Sequence, residues 1–307
     1  MIAALGFVFP VFALMLIGWA VGRFDVLPAE AVTHLNAFTV RLALPTLLFQ
    51  FVAEAAWRTL WQPAFAAAFA GGIAVVFTTT ILAGRPNHRL TDRTIRGLGA
   101  AYANTAFMGI PIAQALFGAA GLAAAVIASL LTVTVLFAIS ILLLELDRNG
   151  AGSSTAAWRG ALSAVARNPL VVGPVAGGLW TLTGIALPEP VRRLTSALGA
   201  TASPVALVTI GLFLAHAPAR DAGTRAGTLC LAKIVAQPLA TAAFVILLRV
   251  PAPWGPLAIL ISAMPTGTGP FMLAKLYDHD AVTTARVILI TTLLSALTIP
   301  LLVLLLR

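Results

Sequence analysis

Apolar residues in this chain come in long runs rather than in the alternation of a strand or the stripe of a surface helix. Ten runs, about 4–22, 33–53, 62–83, 96–117, 121–144, 168–187, 194–216, 227–248, 255–277 and 281–305, each hold roughly 20 residues. A helix of that length crosses about 30 Å of hydrocarbon. No stretch between the runs is long enough for a separate soluble domain. The pattern predicts an all-α polytopic membrane protein with ten transmembrane helices.

Two runs carry breaks that lipid alone would not tolerate. The fourth reads RGLGAAYANTAFMGIPIAQALFG and the ninth GPLAILISAMPTGTGPFMLAKLYD. Pro111 removes an amide donor, and its ring clashes with the carbonyl four residues back. Pro265 and Pro270 bracket Thr266, Gly267, Thr268 and Gly269, a stretch of poor helix formers. Freed backbone groups are costly in hydrocarbon, so unwinding at that depth is tolerable only where protein or a cavity satisfies them. Each of these segments is expected to be two half-helices joined at a crossover.

The breaks recur at one offset. Adding 159 to Pro10 lands on Pro169, to Gly18 on Gly177, to Pro45 on Pro204 and to Pro111 on Pro270. The pairs join runs 1 to 6, 2 to 7 and 4 to 9. They divide the chain into a first five-helix repeat (1–148), a cytoplasmic linker (149–167) and a second five-helix repeat (168–307). Five is odd, so the second half would enter the membrane from the opposite face. Such inverted repeats place their binding site at the repeat interface near the midplane. Chance alignment of membrane-helix prolines is the alternative.

In that geometry the second half of each broken helix starts at mid-membrane. Pro111 and Pro270 suit the first helical position, where a missing N–H is harmless. A helix start carries about half a positive charge, so two converging starts make an anion site without a buried lysine. Asn104, Thr105, Gly109, Pro265, Thr266, Gly267 and Thr268 complete this candidate binding set. Thr46, Gln50, Gln114, Gln237, Thr132 and Thr134 could face the same cavity, although an interhelical hydrogen bond explains each one singly.

Charge matters here through its position. The chain is 60% hydrophobic and 9% charged, with mean hydropathy +1.00 and net charge +9; soluble domains are about 25% charged. With alternating spans, one side holds Arg23, Arg85, Arg89, Arg93, Arg96, Arg148, Arg159, Arg167, Arg220 and Arg225. The other holds Arg58, Arg192, Arg193, Arg249 and Arg307. That bias predicts a protein of the cell inner membrane with both termini on the extracytoplasmic side. It makes membrane lipid, not nucleic acid, the partner of the basic residues. The first run lacks a preceding basic residue and reads as a retained helix rather than a cleaved signal.

Within the runs, Lys233 and Arg41 are the deep cations. Intramembrane charge is a functional candidate by default. Lys233 therefore joins the candidate binding set, although both side chains could snorkel to the headgroups. All ten Asp and Glu lie at or near run ends. An intramembrane enzyme would need an acid pair, a nucleophile with its base, or a metal cluster inside the runs. None is visible, and neither an enzyme nor a cofactor is implied. The single Cys230 excludes an internal disulfide. A proton antiporter would keep a carboxylate at the crossover; its absence leans toward an organic anion as the moving solute. The stretch SSTAAWRGALSAVARNP sets Trp158, Leu162 and Val165 at helical spacing, which reads as a surface amphipathic helix or as linker.

NTAFMGIPIAQALFG, NPLVVGPVAGGLW, LPEPVRRLTSALGATASPVALVTIGLFLA and SAMPTGTGPFMLAKLYD together resemble the auxin efflux carrier family, which includes bacterial carriers of malonate and malate. The resemblance covers nearly the whole chain. It implies a scaffold of helices 1, 2, 6 and 7, often dimerising, and a transport domain of helices 3–5 and 8–10 in which helices 4 and 9 cross. Asn104 matches the family's crossover asparagine and Pro111 its proline. Plant members have Asn-Pro where this chain has Tyr102 and Ala103, and their long cytosolic loop is reduced here to a short linker. The expected function is a secondary carrier of small organic anions, mono- or dicarboxylates such as malonate or malate, working by elevator-like alternating access. A sodium-coupled organic-anion symporter of the bile-acid type is the alternative.

Overall fold

Proline opens several helices of this chain, where its fixed φ and missing N–H do no harm. The computed structural model describes residues 2–54, 61–84, 89–148, 155–216 and 223–305. Arg58, Arg85, Arg220 and Arg307, used above to assign sidedness, lie outside the described residues, as does 149–154 of the linker. Thirteen helices account for the regular structure among the described residues. They are α1 (Ile2–Arg23), α2 (Ala31–Ala53), α3 (Pro63–Leu82), α4 (Leu90–Ala101), α5 (105–117), α6 (119–148) and α7 (Thr155–Arg167). There follow α8 (Pro169–Leu182), α9 (Glu189–His216), α10 (Ala226–Leu247), α11 (Trp254–Ser262), α12 (Gly269–Leu276) and α13 (Ala281–Leu305).

Among the described residues, six stretches are long and apolar enough to cross a membrane: Ala31–Ala53, Pro63–Leu82, Ile112–Arg148, Glu189–His216, Ala226–Leu247 and Ala281–Leu305. Ile246, Leu297 and Leu304 are each more than 70% exposed. Large apolar side chains on the outside suit hydrocarbon as the solvent. The protein is an all-helical, multi-pass membrane protein.

Some boundaries differ from the apolar runs. Run 168–187 yields a helix only to Leu182, because Gly184 takes a left-handed φ of 68° and turns the chain. Gly118, at φ 57°, makes the turn between α5 and α6; no side chain tolerates that backbone easily. The stretch around Trp158 is helical, with Trp158 and Leu162 exposed. Among the described residues, four widened (π) turns interrupt the helices, at Thr39–Ala43, Thr105–Gly109, Leu130–Leu136 and Ala232–Ala236. Such turns are rare and concentrate at functional sites.

Lipid supplies no hydrophobic drive to bring helices together, so small residues that let backbones approach decide which helices touch. A methyl group at Gly18 of α1 would lie 2.1 Å from the Val208 carbonyl oxygen of α9. One at Gly177 of α8 would lie 2.4 Å from the Phe49 carbonyl oxygen of α2. These crossings admit no side chain. Val208 follows Phe49 by the same 159 positions that separate Gly177 from Gly18. A second pair behaves alike: Gly22 approaches Leu212, and Thr181 donates to the Ala53 carbonyl at 3.4 Å. Elsewhere α3 packs on α4 and α10, and Phe65 of α3 meets Trp254 of α11 edge-on at 5.7 Å.

Candidate binding site at the paired helix breaks

Helix α4 stops at Ala101, and Tyr102 turns to an extended backbone. Helix α11 stops at Ser262, and the chain runs without regular helix to Gly269. The two interruptions meet. Ala103 and Thr266 pair as an antiparallel bridge, with Asn104 N–H donating to the Pro265 carbonyl at 2.8 Å and Gly267 N–H to the Tyr102 carbonyl at 3.0 Å. Each break thereby satisfies backbone groups of the other, which an apolar surrounding demands.

Side chains finish the accounting. The Thr266 hydroxyl donates to the Gly99 carbonyl at 2.9 Å, and Thr266 N–H donates to the Thr291 hydroxyl of α13 at 3.1 Å. Lys233 donates to the Ser262 carbonyl at 2.7 Å, and the Gln237 amide to the Ala101 carbonyl at 2.9 Å. Both lie on α10, and they close the C-terminal ends of α11 and α4. Gly267 and Gly269 are required by Tyr102: a methyl group at either would come within 2.8 Å of its ring. The Tyr102 ring rests against Phe137 of α6, centroids 5.0 Å apart.

The first turn of α5 and the residues just before α12 line one crevice. Asn104, Thr105, Ala106 and Phe107 form part of its wall, with Gly267 and Thr268. Leu44, Leu47, Leu48 and Phe51 of α2 close it opposite. The amide of Asn104 makes no hydrogen bond among the described residues, and the buried Thr105 hydroxyl has no partner. First-turn N–H groups of a helix have no partner within it. Two helix starts therefore lie beside one space lined by Asn104, Thr105 and Thr268, a favourable setting for negative charge. The free space is only about 20 Å³, enough for one water. In this conformation α2 shuts the crevice.

The other sequence candidates are distributed around this centre. Pro270 is the second residue of α12, as expected of a helix start. Pro111 is not at the start of α5, which begins at Thr105; the widened turn Thr105–Gly109 lies just before it. A widened turn re-registers the hydrogen bonds where the proline lacks its donor and crowds the previous turn. Gly109 closes that turn, its N–H donating to the Asn104 carbonyl at 3.0 Å. Thr132, in the Leu130–Leu136 widened turn, is buried with an unpartnered hydroxyl, and so is the hydroxyl of Thr134.

Thr46 bonds back to the Leu42 carbonyl, and Gln50 donates to the Ser196 hydroxyl of α9 at 2.7 Å, away from the crevice wall. Gln114 is exposed on α5. Lys233 is fully buried and does not reach outward to the headgroups. It braces the back of the bridge and is absent from the crevice wall. Residues that sequence reasoning did not single out are Tyr102, Thr291 and the α2 leucines; no local pattern marks them.

The profile of the membrane transport protein family matches residues 3–303. A protein of Rhizobium meliloti (strain 1021) described as "Putative malonate transporter" is 28% identical over 297 residues, 96% of this chain and 93% of that protein. With the family match running almost end to end, the chain belongs to the membrane transport protein family, that of the auxin efflux carriers.

Proposed function

We propose that this protein is a secondary carrier for small organic anions, mono- or dicarboxylates such as malonate or malate. The observation that carries this reading is the crevice into which α5 and α12 direct their N-terminal ends beside Asn104, Thr105 and Thr268. Its uncommitted side chains can donate, and among the described residues no carboxylate lines it. The malonate description of the Rhizobium meliloti relative agrees in substrate class.

In this reading α4–α5 and α11–α12 are two membrane helices broken near mid-bilayer and crossing at the Ala103–Thr266 bridge. They belong to an inverted repeat of five plus five spans. The contact pairs Gly18–Val208 and Gly177–Phe49, exchanged at the 159-residue offset, support that relation. Helices α1, α2, α8 and α9 form the scaffold; α3–α6 and α10–α13 form the moving part. The crevice lies between the two, so sliding the moving part past α2 would open it to one side and then the other. The protein would sit in the inner membrane with both termini extracytoplasmic.

The test is uptake into proteoliposomes across a panel of carboxylates, with potassium replacing sodium in a parallel series. Saturable uptake of malonate or malate in both salts supports the carrier as stated. Uptake only with sodium makes it a symporter. No uptake of any carboxylate refutes the reading.

A further inference from the structure

A second cavity, a vestibule of about 840 Å³, is far roomier than the crevice. Its walls come from α2 and the start of α8 on one side, and from the start of α4 and the ends of α6 and α12 on the other. Arg41 lines it, and Leu44 lines the crevice. Three residues of helix separate them, about 4.5 Å along the axis. Vestibule and crevice are thus consecutive along α2, divided by its leucines.

The acids of the vestibule are largely committed. Asp147 accepts from Thr91 twice, from the backbone N–H at 3.1 Å and the hydroxyl at 2.6 Å. Glu145 accepts from the Tyr277 hydroxyl at 2.8 Å and lies 3.9 Å from the Arg148 guanidinium. His279 is held by Asp92 at 3.0 Å. Arg41 and Arg89 are different: both are exposed, and neither has a partner among the described residues. Asp278 is the one exposed acid of the lining without a partner there. With Arg148 set against Glu145, the lining keeps Arg41 and Arg89 against Asp147 and Asp278, and of these the two guanidinium groups are the ones that offer unused donors to an anion. Arg41 also stands inside the widened turn Thr39–Ala43.

We infer that the vestibule is a staging site for the carboxylate substrate, held by Arg41 and Arg89 before α2 withdraws from the crevice. This rests on the carrier reading above and adds a second anion site to it. The planar guanidinium matches a carboxylate with two parallel hydrogen bonds, so a dicarboxylate can engage both arginines at once.

The experiment is the initial rate of labelled malonate uptake by proteoliposomes, measured against substrate concentration at low and at moderate ionic strength. Arg41→Gln and Arg89→Gln are each expected to raise KM roughly three- to tenfold at low salt and to flatten its salt dependence, as loss of a steering charge does. Their kcat should stay within about twofold of the parent, since the crevice is untouched. Arg41→Lys should keep most of the parent's KM and salt response, which separates charge from a folding defect. Arg192→Gln, at the far end of α9 and paired with Glu189, serves as the control. Variants with the parent's KM and salt response overturn the inference, and so does a loss confined to kcat. A parent that moves no carboxylate overturns the carrier reading itself.

Discussion

Lys233 places its Nζ 2.7 Å from the Ser262 carbonyl, with no part of the residue exposed. Four residues on, Gln237 reaches the Ala101 carbonyl. One face of α10 thus meets the C-terminal ends of both helices that stop at the bridge. Those ends carry partial negative charge, and the Lys233 and Gln237 side chains donate to them.

Replacing Lys233 by methionine sets two effects against each other. A hydrogen bond to a charged group contributes about 1.5–3 kcal/mol, whereas desolvating a buried ion costs several kcal/mol. The two nearly offset, so Lys233→Met is expected to shift the melting temperature by only a few degrees. Uptake should fall at least tenfold, because without Lys233 the Ser262 carbonyl at the end of α11 loses its donor and the bridge its support. Thermal unfolding and uptake measured on the same preparation check this; unchanged uptake would mean that the bridge holds without Lys233.

Asn104 and Gln114 separate the two ends of the sequence-derived candidate set. Asn104 has an uncommitted amide on the crevice wall, and Gln114 is exposed on the outer face of α5. Losing one hydrogen bond to an ionised ligand costs about 1.5–3 kcal/mol, roughly 10- to 100-fold in affinity. Asn104→Ala should weaken carboxylate uptake by that order, and Gln114→Ala should leave it near the parent's. Parallel concentration series decide the matter.

The glycines at the helix crossings give a stability prediction independent of function. Gly18→Ala and Gly177→Ala would each press a methyl group into a carbonyl oxygen of the facing helix. Such overpacking costs roughly 1–3 kcal/mol, so both variants should melt several degrees lower in detergent. Gly109→Ala should be mild, since its nearest neighbour atom would be 3.5 Å away. A Gly109 variant as unstable as the crossing variants would contradict this packing.

Much of this could be read from the chain, and the limits have physical causes. Pro265, Pro270 and the Thr-Gly-Thr-Gly between them announce a helix break by composition alone. The break before Asn104 is different. Tyr102 and Ala103 carry no breaker, and they are extended because their backbone pairs with Pro265, Thr266 and Gly267 from a distant part of the chain. Pro111 pointed to the right helix but to the wrong turn of it, since the widened turn at Thr105–Gly109 has no residue signature. Lys233 could be flagged as a deep charge, but its partner depends on how α10 packs against α11. Charge counts marked Arg89 as a topology determinant, and depth in its run marked Arg41 as an intramembrane cation; only the fold brings them to one cavity.

The shut crevice makes the last prediction. Leu48 of α2 and Thr268, just before α12, both line a crevice with about 20 Å³ of free space, too little for a carboxylate. Transport therefore requires them to part. Cys230 is the sole cysteine, and a Cys230→Ser background allows a pair to be introduced at Leu48→Cys and Thr268→Cys. A mercury bridge across that pair should abolish uptake, and a thiol reductant that strips the metal should restore it to the level of the untreated double variant. Each single-cysteine variant should be insensitive to the same treatment. Full uptake with the bridge demonstrably formed would mean that α2 and α12 stay together through the cycle, and the sliding of one against the other would have to be abandoned.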